Sequence, residues 1–245
     1  MKNYKFVLQY EGTRYQGWQR QDSTDNTIQG KLEKLLSRMC GEAVEVQGSG
    51  RTDAGVHALA QVANAHMHTQ RTPEEIRDYM NLYLPEDIGV LSVEEAPERF
   101  HSRLNAKGKV YRYRIINSSI PHIFERKYAH VVSEKLDVDA MRRAAERLEG
   151  THDFKAFTSS RKGNKSTVRT INRIELIQDN DVITLTFSGD GFLYHMVRIL
   201  TGTLLEVGLG QRSPGEMEEI LQSCRREKAG ALVPAKGLTL MEVKY

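Results

Sequence analysis

The stretch 48–58, GSGRTDAGVHA, packs three glycines, one acid and one arginine between Gly48 and Gly55. Glycines at such density permit positive φ and close approach of a large ligand to the backbone. The spacing is not G-x-G-x-x-G, and no G-K-[ST] follows, so the nucleotide-binding fingerprints fail. An anion-binding loop would also not favour a carboxylate at its centre. The chemically useful group is Asp53, lifted on a tight loop just after a short strand expected over residues 44–47. On spacing alone a loop aspartate is more often an Asx-turn or a cap than a catalyst, so its surroundings have to decide.

Working outward, residues 4–10 alternate Tyr4, Phe6, Leu8 and Tyr10 on one side, which predicts a half-buried strand. Gly12 and Gly17 bracket a loop holding Tyr15, Trp18, Gln19 and Arg20. Asn26 or Thr27 opens a helix with Ile28, Leu32, Leu35, Leu36 and Met39 on one face, and Gly41 ends it. Extended structure resumes over 59–68. Thr72-Pro73-Glu74-Glu75 is a capping box with proline at the first helical position, and a strand returns at 90–93. The second half echoes this order. KVYRYRIIN is a strand with Tyr111, Tyr113 and Ile115 on one face and Arg112 and Arg114 on the other. Asp137 caps a helix, residues 174–189 read as a hairpin turning at Asp179-Asn180-Asp181, and a long helix is expected over about 191–207. Ser213-Pro214-Gly215-Glu216 reads as another capping box, and a last strand covers 238–243. The expected class is α+β, with helices packed on a mainly antiparallel sheet. Two similar halves, 1–104 with the Asp53 loop and 105–245, suggest a duplication in pattern only.

The chain has 245 residues, 39% hydrophobic and 27% charged, the balance of an ordinary globular protein. No apolar run approaches the roughly 18 to 20 residues that span a bilayer. The alternating start MKNYKFVLQYEG reads as a strand rather than a secretory leader. Cys40 and Cys224 match no metal spacing, and two incidental thiols fit a reducing cytoplasm. His57, His66 and His68 lack an acid or cysteine to complete a ligand set, so structural roles are expected of them. The net charge of +3 says little, but its distribution says more. No acid lies between Glu98 and Glu125, where Arg99, Arg103, Lys107, Lys109, Arg112 and Arg114 fall. None lies between Asp153 and Glu175, where Lys155, Arg161, Lys162, Lys165, Arg169 and Arg173 fall. Either stretch alone reads as a solvated face; together they suggest a one-sided positive surface that attracts phosphates.

The motif GSGRTDAGVHA, followed by Gln61-Val62, resembles the catalytic motif of the TruA-type tRNA pseudouridine synthases. The same family is matched by YEGTRYQGWQRQ near the start, by Phe100-His101-Ser102-Arg103, and by Lys109-Val110-Tyr111-Arg112-Tyr113. Asp153-Phe154, Phe192-Leu193-Tyr194-His195-Met196-Val197-Arg198 and Ala235-Lys236-Gly237-Leu238-Thr239-Leu240 also fit. Ser102, where alanine is commoner, is the one small departure.

The resemblance implies the pseudouridine-synthase fold around a central basic cleft, without metal or cofactor. It implies isomerisation of uridines 38, 39 and 40 in the anticodon arm of tRNA by a cytoplasmic homodimer. That reaction breaks the N1–C1′ bond, turns the uracil and rejoins it through C5. A carboxylate suits it, either adding covalently or steadying the cationic sugar carbon. The resemblance makes Asp53 the nucleophile, Arg198 the arginine paired with it, and Tyr111 the ring stacked on the uracil. Leu240 becomes an apolar contact under that ring, and Arg51 the side chain that fills the space of the flipped base. Arg71, the segment Phe100, His101, Ser102, Arg103 and Leu104, and the segment Arg161, Lys162, Gly163, Asn164 and Lys165 align with RNA contacts. Attack on the ribose, attack on the base and a glycal route all stay open. A non-catalytic RNA-binding protein would explain the basic stretches but leave Asp53 without purpose. An enzyme of small nucleosides would explain Asp53 but not the basic stretches.

Overall fold

The computed structural model describes residues 1–160 and 166–245. Residues 161–165, with Arg161, Lys162, Gly163, Asn164 and Lys165, lie outside the described residues. The chain forms two compact units, Met1–Lys107 with Thr239–Tyr245, and Gly108–Leu238. Both carry mainly antiparallel strands with helices, an α+β architecture.

In the first unit β1 (Lys2–Tyr10) lies between β4 (Ile88–Ala96) and β3 (His57–Met67), antiparallel to both. The two-residue β2 (Gln47–Gly48) pairs antiparallel with β3, and β10 (Leu238–Lys244) pairs with β3 in parallel through Leu240 opposite Ala58. The alternation of Tyr4, Phe6, Leu8 and Tyr10 buries those four side chains, as period-two patterning dictates. Helix α1 (Ile28–Cys40) starts where the Thr27 hydroxyl accepts from the Gly30 N–H and stops at Gly41, φ 72°. Helix α2 (Pro73–Tyr83) has both halves of its capping box, Thr72 with Glu75.

In the second unit β5 (Gly108–Asn117), β9 (Val182–Gly189), β8 (Val168–Asp179) and β7 (Gly150–Asp153) follow one another antiparallel, and β6 (His130–Val132) runs parallel beside β5. Helix α3 (Val138–Glu146) is capped by Asp137, whose carboxylate accepts from the Ala140 N–H. Helix α4 (Met196–Gly208) begins later than the apolar spacing suggests, because His195 takes a left-handed φ of 65° and a helix cannot run through it. Phe192 therefore belongs to the entering loop. Before α5 (Glu216–Ser223) only half of the expected capping box forms: the Ser213 N–H donates to Glu216 Oε1 at 2.7 Å, with no side-chain cap in return.

What positions the 48–58 loop is contact between backbones. A Cβ on Gly12 would stand 2.0 Å from the Val56 carbonyl oxygen. One on Gly17, φ 88°, would meet the Thr52 oxygen at 2.6 Å, and one on Gly48 would enter the Trp18 indole at 2.5 Å. Gly41, by contrast, has open space around it and needs only its left-handed φ. Gly12→Ala is expected to cost about 3 kcal/mol or more, the upper end of the overpacking range, because backbone must move. Gly41→Ala is expected to cost only about 1 kcal/mol, the strain of a left-handed alanine. Denaturant unfolding of the two variants reads the difference, and equal losses would show that the loop does not need the close approach.

Candidate active site

Asp53 sits in a turn closed by the Val56 N–H donating to the Asp53 carbonyl at 3.1 Å, with Gly55 at φ 80°. Hydrogen bonds hold both shoulders of the turn. Before it, the Ser49 N–H donates to the Val62 carbonyl at 2.8 Å and the Ser49 hydroxyl to Gln61 Oε1 at 2.6 Å. The Gln61 amide then donates to the Gly50 carbonyl at 3.0 Å. Next to Asp53, the Thr52 and Tyr10 hydroxyls share a hydrogen bond of 2.8 Å, and the Trp18 N–H donates to the Thr52 carbonyl at 3.0 Å. After it, His57 Nδ1 accepts from the Gly12 N–H at 3.0 Å, which puts the proton of the neutral ring on Nε2. Burial pushes the Tyr10 phenol up to about 12, its bonds to Thr52 and Gln61 offsetting part of that rise, so it stays neutral.

Ser49, Thr52, His57, Gln61 and Tyr10 are all buried, Asp53 is half-exposed and Arg51 is exposed. The loop thus presents one carboxylate at a boundary with solvent from a scaffold whose polar groups are spent on one another. Such rigidity is what a reacting group requires. Leu240, buried on β10 opposite Ala58, lies beside the end of the same loop.

In the second unit Tyr111 is buried on β5, its ring edge-on to Phe192 with centroids 5.3 Å apart. Arg198, half-buried in the first turn of α4, donates from Nε to the Val233 carbonyl at 2.8 Å. It stands close enough to Tyr113 to act on it: burial drives the Tyr113 phenol well above its ordinary range, and the Arg198 charge draws it part of the way back. Tyr113 donates its hydroxyl proton to the Pro234 carbonyl at 2.8 Å. Arg198 is therefore no ordinary solvated helix charge.

The other sequence candidates divide by exposure. Ser102 is 0% exposed, its hydroxyl donating to the Gln47 carbonyl at 2.6 Å, and its backbone oxygen accepts from the Tyr245 hydroxyl. Phe100 packs its ring 5.2 Å from that of Tyr245. These two anchor the segment, His101 is half-exposed, and Arg103 and Leu104 (77% exposed) are what it offers to solvent. Arg71 is exposed, its guanidinium 5.2 Å from the Tyr79 ring centre. His66 bonds the Glu98 carbonyl and His68 the Glu42 carboxylate. Among the described residues no group of three or more His, Cys, Asp or Glu is placed to hold a metal ion. Nor is any helix among them long and apolar enough to cross a membrane.

Sequence reasoning did not find the support beneath the loop. Tyr10 read as one face of a half-buried strand, Gln61 as the tail of a motif, and Ser49 drew no reading of its own. The available signal was an uncharged polar side chain, Gln61, in an otherwise apolar stretch of β3.

The sequence pattern of a family described as tRNA pseudouridine synthase matches residues 7–105 and 144–245. The chain is 47% identical over 245 residues to "tRNA pseudouridine synthase A" of Bacillus sp. (strain KSM-64), covering all of both proteins. It is 46% identical to "tRNA pseudouridine synthase A 1" of Clostridium tetani (strain Massachusetts / E88) and 44% to "tRNA pseudouridine synthase A 2" of Bacillus cereus (strain ZK / E33L), again over the full length of each. With a half-exposed aspartate on a braced glycine turn inside that match, the chain belongs to the tRNA pseudouridine synthase family.

Proposed function

We propose that this chain converts uridine to pseudouridine at positions 38, 39 and 40 of the tRNA anticodon arm, with Asp53 as the nucleophile. The observation that carries the reading is the Asp53 carboxylate, held half-exposed by a turn braced by hydrogen bonds to Ser49, Gly50, Thr52 and Val56. In the reaction the N1–C1′ bond breaks, a C5–C1′ bond forms, the C5 proton leaves and N1 gains one. Asp53 adds to the sugar or the base, or promotes a glycal route; each begins from the ionised carboxylate. In this reading Tyr111 stacks on the reacting ring and assists loss of the C5 proton. Arg198, anchored by Val233, is the cation of the reacting centre, and Leu240 an apolar support.

A uridine within a stem-loop is stacked, so it must leave the stack to react, and exposed Arg51 fills the vacated space. Recognition is chiefly of shape and phosphate, since A-form stems hide their major-groove edges. Arg71, Arg103, Leu104 and the segment 161–165 supply contacts. The active form is a cytoplasmic homodimer with each RNA lying across both subunits.

Asp53→Asn keeps the shape and removes the charge. It is expected to leave tRNA affinity near wild type while pseudouridine formation, read as tritium released from C5-labelled uridine in tRNA, falls by roughly 10³-fold or more. Retained activity would remove the nucleophile and leave a non-catalytic RNA-binding protein as the better account. Replacing Arg161, Lys162 and Lys165 with glutamine together is expected to weaken binding and to flatten the dependence of log K on log salt by roughly 2, as lost phosphate contacts require. An unchanged slope would show that this segment points away from RNA.

A further inference from the structure

Helices α1 and α2 of the first unit bring together a cluster of which the proposed function uses Arg71 alone. Tyr79 and Tyr83, one turn apart on α2, have ring centres 4.7 Å apart at 55°. Arg38 of α1 lies over Tyr83, its guanidinium carbon 4.7 Å from the ring centre, and its Nε donates to the Tyr79 hydroxyl at 3.2 Å. Arg71 lies over Tyr79 at 5.2 Å. Both guanidiniums are exposed, Tyr83 is 53% exposed and its neighbour Leu82 72%.

The charge around the cluster is not neutralised. Neither Arg38 nor Arg71 forms an ion pair among the described residues, and three acids close to them in sequence are engaged elsewhere. Glu75 closes the α2 capping box, Asp78 pairs with Arg77 and Glu42 with His68. Lys34 stands one turn before Arg38 on the exposed side of α1. Like charges at that spacing disfavour a helix slightly, so fold stability gives no reason for them. Stacking fixes each guanidinium plane by its face and leaves its outer N–H groups available, the arrangement that suits phosphate recognition. Exposed tyrosine beside such groups gives a base a surface to stack on. A membrane would need a wider apolar face and a protein partner a matching set of carboxylates; unpaired cations with an open aromatic face fit RNA.

We propose that Arg38, Arg71, Tyr79 and Tyr83 form a second RNA-docking surface, which takes an unpaired nucleotide of the substrate outside the reacting stem-loop. Its phosphate sits on the two guanidiniums and its base on the open face of Tyr83. The proposal rests on the RNA substrate assigned above but not on the role of Asp53.

The test compares intact tRNA with an isolated anticodon stem-loop as ligands for the full-length protein, wild type and the variants Tyr83→Ala, Tyr83→Phe and Arg38→Gln. Tyr83→Ala is expected to raise Kd for intact tRNA about tenfold, the loss of one stacked base, and to leave Kd for the stem-loop unchanged. Tyr83→Phe should restore binding, because it keeps the ring. Arg38→Gln should flatten the salt dependence for intact tRNA by about 1 and not for the stem-loop. Turnover at saturating tRNA should be that of wild type in all three. Unchanged Kd for intact tRNA in Tyr83→Ala would overturn the proposal, as would an equal loss for both RNAs. A dimer that dissociates on sedimentation while tRNA affinity stays the same would overturn it too, by making the cluster a protein contact. A wild-type protein that releases no tritium from tRNA would sink the catalytic reading instead, and leave the binding comparison intact.

Discussion

Residues 12–18 run so close against residues 48–56 that Gly12 and Gly17 meet backbone and Gly48 meets the Trp18 indole, and the placement of Asp53 depends on that contact. Gly12 abuts Val56, Gly17 abuts Thr52, and Trp18 lies across Gly48. The two segments are also tied by the Trp18 N–H to Thr52 and the Gly55 N–H to Tyr15. A turn held only at its ends would wander by more than the fraction of an ångström that a reacting carboxylate tolerates. Here the turn is pressed along its length by a second stretch of chain that itself opens into α1. The glycines of the first segment therefore set the position of the second, although some forty residues separate them.

Local signals made much of the fold legible. Thr27 with Gly41, the Thr72–Glu75 box and Asp137 mark helix ends by chemistry that acts within four residues, and the structure uses each of them. Where the reading failed, a conformation decided matters that no local composition announces. Apolar spacing extends the α4 pattern back to Phe192, yet His195 turns left-handed and delays the helix. The Ser213 box is half made, because the chain enters α5 through Pro214 and Gly215 with the serine side chain unused as a cap. The parallel pairing of β10 with β3 joins residues about 180 apart, and sequence periodicity carries no information about such partners.

The site was legible in a different way. Asp53 stood out through the motif GSGRTDAGVHA and its family resemblance, since spacing alone favours a turn or cap role for a loop aspartate, while the residues that hold it did not. Gln61 and Ser49 are unremarkable in sequence and become meaningful only as a buried pair. The segment 100–104 shows the converse: its motif reads as one block, but half-buried Phe100 packs on Tyr245, Ser102 is buried, and Arg103 and Leu104 are left to the solvent. The cluster of Arg38 with Tyr79 and Tyr83 was hidden for the same reason as β10, since it needs two helices to be assembled before its parts meet.

The buried polar groups under the loop explain why so much hydrogen bonding gathers there. Leaving one buried donor or acceptor unpaired costs about 1–3 kcal/mol, so a polar network in an apolar unit is tolerated only when it closes on itself. Tyr10, Thr52, Gln61, Ser49 and the Gly50 carbonyl do close in this way. An apolar floor of the same volume would pack as well, but it would not fix the orientation of the backbone above it. Hydrogen bonds to the Gly50 and Thr52 carbonyls set which way the peptide groups preceding Arg51 and Asp53 point. The exposed arginine and the half-exposed aspartate then inherit their directions from a dry scaffold beneath them. In this unit orientation at the loop comes from buried polar contacts, whereas the contacts proposed for RNA fall on exposed cations. Because the two sets of residues do not overlap, charge at the surface can change without disturbing the geometry at Asp53.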